Sequence, residues 1–190
     1  VHLVGHSYGA LTSLLVARDH PDLVHSLILG EAPVMSMLVI TPEGETLFRE
    51  FLEGAIHPSH AAFQNGEIEE GVRRFINGVL GDSVYHTLPP ELHLTMLENA
   101  REMKGEVEGI SSEMVDFFPN FTCSDAKGIT VPVLLMDGEN SPKFFGLINN
   151  ALNRCLPNSE VTVIPGASHD LKFQQPTVFR EQVLPFIARN

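Results

Sequence analysis

Cysteine, basic side chains and long apolar runs are all scarce, and each shortage removes a class of function. The two cysteines, Cys123 and Cys155, lie far apart and match no metal-ligand spacing, so a disulfide-rich scaffold and a cysteine metal centre are excluded and two reduced thiols are expected. Twelve basic against twenty-four acidic side chains give a formal net charge of −12, which repels nucleic acid and anionic membrane surfaces. There is no apolar run of roughly eighteen residues to span a membrane, and no charged segment followed by a short apolar one to direct secretion. A cytoplasmic placement is therefore expected, with any targeting signal lying upstream of Val1. No phosphate loop, dinucleotide fingerprint or metal-ligand cluster appears, so neither a cofactor nor a metal is implied. Internal repeats and low-complexity tracts are also missing. What remains is a chain of 190 residues, 43% hydrophobic and 19% charged, long enough to bury a sizeable core.

The first ten residues organise the rest. The apolar run from Val1 breaks at Gly5-His6-Ser7-Tyr8-Gly9, a serine between two glycines after a strand pattern and before a helical one. A serine at a sharp strand-to-helix turn takes strained backbone angles, and small neighbours at Gly5 and Gly9 relieve crowding there. The following helix aims its free N–H groups at the serine, so the Tyr8 amide can donate to an oxyanion formed beside it. Ser7 reads as a nucleophile. This stretch resembles the nucleophile elbow of the α/β-hydrolase family.

Leu11, Leu14, Leu15 and Ala17 give a helical face that stops at His20-Pro21-Asp22, and Leu23 to Gly30 reads as a buried parallel strand with Glu31 at its end. From Val34 to about Lys127 the pattern is helical, with Glu45 to Ala55, Glu67 to Leu80, Pro90 to Lys104 and Ser111 to Phe118 as candidate helices. Sixteen acidic and six basic side chains fall between Val34 and Lys127, the signature of a solvated helical surface. Alternation then resumes: a strand over Val131 to Met136, a helix through Phe144, Ile148 and Leu152, a strand over Glu160 to Ile164, and a terminal helix from about Pro176 to Ala188. The expected fold is α/β, a doubly wound, mostly parallel sheet, with residues 1–33 and 128–190 as the core and 34–127 as an inserted helical unit. In such a sheet the ligand site lies off the carboxyl ends of the strands, where Ser7, Glu31, Asp137, Ser141 and His169 all fall.

A serine hydroxyl needs an adjacent base, normally a histidine oriented by a carboxylate. His169, in Pro165-Gly166-Ala167-Ser168-His169 after the last strand, is the candidate base. His2 and His25 lie within strands, His20 at a helix end, and His57, His60, His86 and His93 in the helical insert. His6 is taken as a packing residue beside the nucleophile.

With these stretches in place the similarity to Ser-nucleophile α/β-hydrolases extends along the whole chain: Val-Gly-His-Ser-Tyr-Gly, a helical insert where the family places its cap, Val-Pro-Val-Leu-Leu-Met-Asp-Gly-Glu, and Pro-Gly-Ala-Ser-His. The resemblance implies the C-terminal portion of a capped hydrolase. The family's first four strands, and the loop that supplies the second oxyanion-hole amide, have no counterpart in these residues. Many relatives carry the acid in Gly-Glu-x-Asp-Pro after the seventh strand, where this sequence has Gly138-Glu139-Asn140-Ser141-Pro142. Other relatives place it about two dozen residues after the nucleophile, and Glu31 lies 24 positions after Ser7. Glu31 is the chosen acid and Asp137 the alternative.

The resemblance implies a serine hydrolase acting on an ester or similar carbonyl substrate through an acyl-enzyme, the chain by itself being inactive. Carbon–carbon bond hydrolysis and acyl transfer use the same residues, and a non-catalytic ligand-binding protein on this fold is the alternative. His6, Met35, Met37 and Leu38 are candidate pocket residues, and they suggest a small-molecule substrate with an apolar acyl or alcohol group.

Overall fold

The computed structural model describes residues 1–82, 84–112 and 117–190. Four parallel strands form one sheet in the order β1 (His2–His6), β2 (Ser26–Gly30), β3 (Val133–Gly138) and β4 (Ser159–Ile164). The central strand β2 is buried at all five positions, as its continuous aliphatic run requires. Alternation splits its side chains between two cores. Leu27 and Leu29 join the larger core with Val133 and Leu135, whereas Ile28 points the other way with Leu134, Met136 and Ile164. The larger face is covered by α1 (Tyr8–Asp19), and the sheet is therefore doubly wound as expected. At the edge, Val4 of β1 is 49% exposed.

Strand β2 begins three residues later than the apolar run, because Pro21–Leu23 forms a 3₁₀ turn that turns Leu23 out to solvent. Among the described residues the regular elements between β2 and β3 are helical: α2 (Met35–Leu38), α3 (Pro42–Phe51), α4 (His57–Gln64), α5 (Ile68–Leu80), α6 (Pro90–Glu98), α7 (Ala100–Ser111) and α8 (Cys123–Gly128). Helix α3 starts earlier than its apolar periodicity suggests, since Thr41 caps it by accepting from Gly44 N at 3.0 Å and Pro42 suits the first turn. Its helical course does not stop at Ala55. A π-helical turn over Leu52–Ile56 carries it into α4, immediately before Pro58. Proline lacks the N–H that would reach back along the helix and its ring crowds the preceding turn, so the widened turn lets the chain pass through it. The stretch from Pro90 to Lys104 divides into α6 and α7 at Asn99. The helix expected over Ser111 to Phe118 falls largely outside the described residues.

After β3, α9 (Lys143–Cys155) packs Phe144, Phe145, Ile148 and Leu152 into the larger core. After β4, α10 (Leu171–Gln174) and α11 (Pro176–Arg189) cover the second face with Leu171, Val183 and Phe186.

One expectation is overturned here. Cys123 and Cys155 are joined in a disulfide, with Cα atoms 5.2 Å apart. Packing of α8 against the end of α9 brings together two residues that are 32 positions apart, and no spacing rule in the sequence encodes that meeting.

Candidate active site

Parallel register lines the strand ends up side by side, with His6 opposite Gly30 and Gly30 opposite Met136. Three backbone bonds extend the alignment past the strands: Ser7 N to Gly30 O at 2.8 Å, Glu31 N to Met136 O at 3.2 Å and Glu139 N to Ile164 O at 3.1 Å. Ser7, Glu31 and the loop before His169 are thereby delivered to one edge of the sheet.

Ser7 and Glu31 are the two non-glycine residues with positive φ among the described residues, at 53° and 49°. Such angles cost on the order of 1–3 kcal/mol each and persist where surrounding packing imposes them. At Ser7 the imposition is visible: a Cβ on Gly5 would sit 2.4 Å from the Gly9 carbonyl oxygen, so the strand and helix meet more closely than any larger residue permits. Gly9 plays no matching part, since a Cβ there meets nothing within 4 Å. The turn crosses directly into α1, with Ala10 N and Leu11 N donating to Ser7 O at 2.9 and 3.1 Å. The Tyr8 N–H, one step from Ser7 at the helix start, makes no such bond among the described residues.

Glu31 is wholly buried, and both its oxygens are engaged. Gly138 N donates to Oε1 at 2.7 Å, and His169 Nδ1–H donates to Oε2 at 2.6 Å. That bond orients the imidazole and leaves Nε2 as its proton acceptor. The ring of Phe145 lies flat against His169, centroids 4.1 Å apart and planes 8° from parallel. Asp137 is occupied elsewhere: Asn149 Nδ2 donates to it at 2.6 Å. Burial, aided by the nearby Glu31 charge, pushes the Asp137 carboxyl up to about 6 against the pull of Asn149. Ser141, where many relatives carry the acid, has a buried Oγ without a hydrogen-bond partner among the described residues.

His6 lies beneath His169, not in the cavity. Its Nε2 meets the His169 carbonyl oxygen at 2.5 Å, and Lys172 Nζ approaches its Nδ1 at 3.3 Å. An ammonium donor at Nδ1 requires the proton to sit on Nε2, so the ring is neutral. Burial first, then the charges of His169 and Lys172, lower its pKa to about 3. This chain of contacts pins the loop that carries the candidate base.

Ser7 and His169 open into one cavity of about 30 Å³, walled by Met35, Phe51, Phe75, Phe118, Phe144 and Phe145 among others. Of the expected pocket residues Met35 lines it. Met37 and Leu38 pack into the core instead, where the single turn of α2 lies against α9 and α3. A larger cleft of about 440 Å³, lined by Glu50, Arg74 and Lys143, lies beyond Phe51 and Phe144, which border both spaces. Sequence reasoning missed Glu106, Phe145 and Lys172. Glu106 reaches the cavity from α7, and its charged, helix-surface context carried no signal of that.

The sequence pattern described as "Alpha/beta hydrolase family" matches residues 1–182. The chain belongs to the α/β-hydrolase family. Its curated relatives include a 2-(acetamidomethylene)succinate hydrolase of Mesorhizobium japonicum, 26% identical over 193 residues, 97% of this chain and 63% of the relative. Carboxylesterase YbfK of Bacillus subtilis is 26% identical over 184 residues, 94% of this chain and 57% of the relative. Among solved structures, MenH from S. aureus superposes with a TM-score of 0.70 at 20% identity, covering 99% of this chain and 68% of that one. The chain thus spans about 60% of the length of these curated relatives.

Proposed function

We propose that this chain carries the catalytic residues of a serine hydrolase of the α/β-hydrolase type, acting on a carboxylic ester or similar carbonyl substrate. The observation that carries the reading is the pairing of His169 Nδ1 with buried Glu31 at 2.6 Å, in a cavity that Ser7 also lines. Ser7 Oγ attacks the carbonyl carbon while His169 Nε2 takes its proton, and Glu31 stabilises the imidazolium. The Tyr8 N–H donates to the oxyanion. The protonated imidazole then returns its proton to the departing alcohol, leaving an acyl group on Ser7. Water, deprotonated by the same imidazole, releases the acid. The hydrolase and carboxylesterase names of the relatives agree with this chemistry.

In this reading residues 34–127 are a cap, and the aromatic walls that they and α9 supply exclude water from the reacting atoms. The small cavity suits a short acyl or alcohol group. We also propose that residues 1–190 alone turn substrate over poorly, because the elbow strand β1 lies at the sheet edge with one side unpaired among the described residues. No helix of the described residues is long and apolar enough to cross a membrane. The Cys123–Cys155 bond removes the support that reduced thiols would give to a cytoplasmic setting. The test is covalent labelling with a fluorophosphonate in the complete protein. Labelling of wild type that disappears in Ser7→Ala, with turnover reduced on the order of 10⁴-fold or more, is expected. Equal labelling of both proteins would refute the assignment.

A further inference from the structure

Among the described residues the wall of the cavity is apolar with two exceptions besides Ser7 and His169. Tyr8 and Glu106 both line it, and each presents a polar group that the protein leaves unused. The Tyr8 hydroxyl is buried with no hydrogen-bond partner among the described residues. Its ring is fixed by stacking on Phe118, centroids 5.7 Å apart at 11°, and by an edge contact with Phe117. Glu106 is half-buried on α7. The cavity residue Ile110 lies one turn further along α7, and no hydrogen bond or ion pair to Glu106 is made among the described residues. A buried hydroxyl without a partner loses the hydrogen bonds it makes in water, and a carboxyl drawn partly out of water beside aromatic rings adds a further cost. Packing does not require either group there, since phenylalanine and leucine would fill the same walls.

Resting on the hydrolase reading above, we propose that Tyr8 Oη and Glu106 form a hydrogen-bonding end to the acyl pocket, which selects acyl groups bearing a terminal uncharged donor–acceptor group, a primary amide or a hydroxyl. The chemistry follows from what each side chain offers. Tyr8 O–H donates to a carbonyl or hydroxyl oxygen, and a Glu106 oxygen accepts from the N–H or O–H of the same substrate group. Burial pushes the Glu106 carboxyl up to about 7. Glu106 in turn raises the Tyr8 phenol above its ordinary value, after burial itself. Near pH 7 Tyr8 is therefore neutral and Glu106 is divided between its two forms, either of which accepts from a neutral ligand group and disfavours a carboxylate-terminated one. Among the described residues the other titratable group at the cavity wall is His169, already committed to Glu31. A site built to hydrogen-bond a substrate group discriminates strongly against an analogue without it, because the buried partners are then left unpaired.

The experiment compares kcat/KM of the complete protein for three p-nitrophenyl esters with background hydrolysis subtracted. These are the glutaramate, its isostere 5-methylhexanoate, in which two methyls replace the amide oxygen and nitrogen, and 5-(trimethylammonio)pentanoate. Wild type should prefer the glutaramate to the isostere by about tenfold or more. Glu106→Leu should bring that ratio to about one, while Glu106→Gln, which still donates and accepts, should keep it within about threefold. A wild-type ratio of one or less overturns the proposal without any variant having to fold. So does a ratio unmoved by Glu106→Leu, or a preference for the trimethylammonio ester over both others, which would make Glu106 a counter-ion. Fluorophosphonate labelling of wild type against Ser7→Ala reads the hydrolase assignment separately. With that labelling intact, a flat substrate ratio removes the pocket proposal alone.

Discussion

Replacing Glu31 by glutamine tests which carboxylate orients the base, and the structure sets the expected size of the effect. In Glu31→Gln the new side chain is isosteric, and its carbonyl can still accept from Gly138 N, which lies 2.7 Å from Oε1 in the wild type. The amide NH₂ would then face His169 Nδ1, where the wild-type carboxylate accepts at 2.6 Å. The amide donates, so it selects the imidazole tautomer whose proton is on Nε2, the nitrogen needed to accept from Ser7. It also withdraws the negative charge beside the imidazolium. Together these should lower kcat by about 10³ to 10⁴, a barrier increase of about 4 to 5.5 kcal/mol. Fold stability should fall by no more than about 2 kcal/mol, since shape and the Gly138 bond are kept. Asp137→Asn should leave turnover within about threefold of wild type, because Asp137 is bonded to Asn149 and not to His169. The assay is steady-state hydrolysis of p-nitrophenyl acetate by the complete protein, with circular-dichroism melts to verify folding. If Asp137→Asn is crippled while Glu31→Gln turns over normally, the acid is Asp137 and the reasoning from the 2.6 Å contact is wrong.

Further expectations concern stability. Closing a loop of 32 positions contributes about 4 kcal/mol by chain entropy, so dithiothreitol should lower Tm, and thiol titration of the unreduced, unfolded protein should detect no free thiol. Gly5→Ala should destabilise by more than about 3 kcal/mol, given a Cβ placed 2.4 Å from backbone, while Gly9→Ala should stay within about 1 kcal/mol; paired urea melts decide. Glu106, raised from 4.5 to about 7 in the folded state, binds a proton there that the unfolded chain has already released. Its contribution is full below pH 4.5 and is lost as pH rises through 7. Chemical denaturation across that window should show a decline of up to about 3 kcal/mol from this group, flattened in Glu106→Gln. An unchanged slope in that variant would mean the carboxyl is solvated.

Local chemistry made the sheet and its elbow legible. Leu27-Ile28-Leu29 is apolar on both faces because an inner parallel strand is covered twice, and Gly5 before Ser7 marks a backbone approach that no side chain tolerates. Helix limits were less legible where capping and proline outweighed periodicity, at Thr41 and across Pro58. The order of the chain also placed Ser7, Glu31, Asp137 and His169 near strand ends, since parallel strands share one direction. Which carboxylate would face the imidazole was another matter. Glu31 and His169 are 138 positions apart, and their contact depends on the positive φ of Glu31 and on the loop held by His6 and Lys172. The Cys123–Cys155 bond, the Phe145 ring on His169 and the entry of Glu106 into the cavity are of the same kind. Periodicity reports which face of an element is buried, but the partner met on that face is set by how helices and strands pack, and only the tertiary structure decides it.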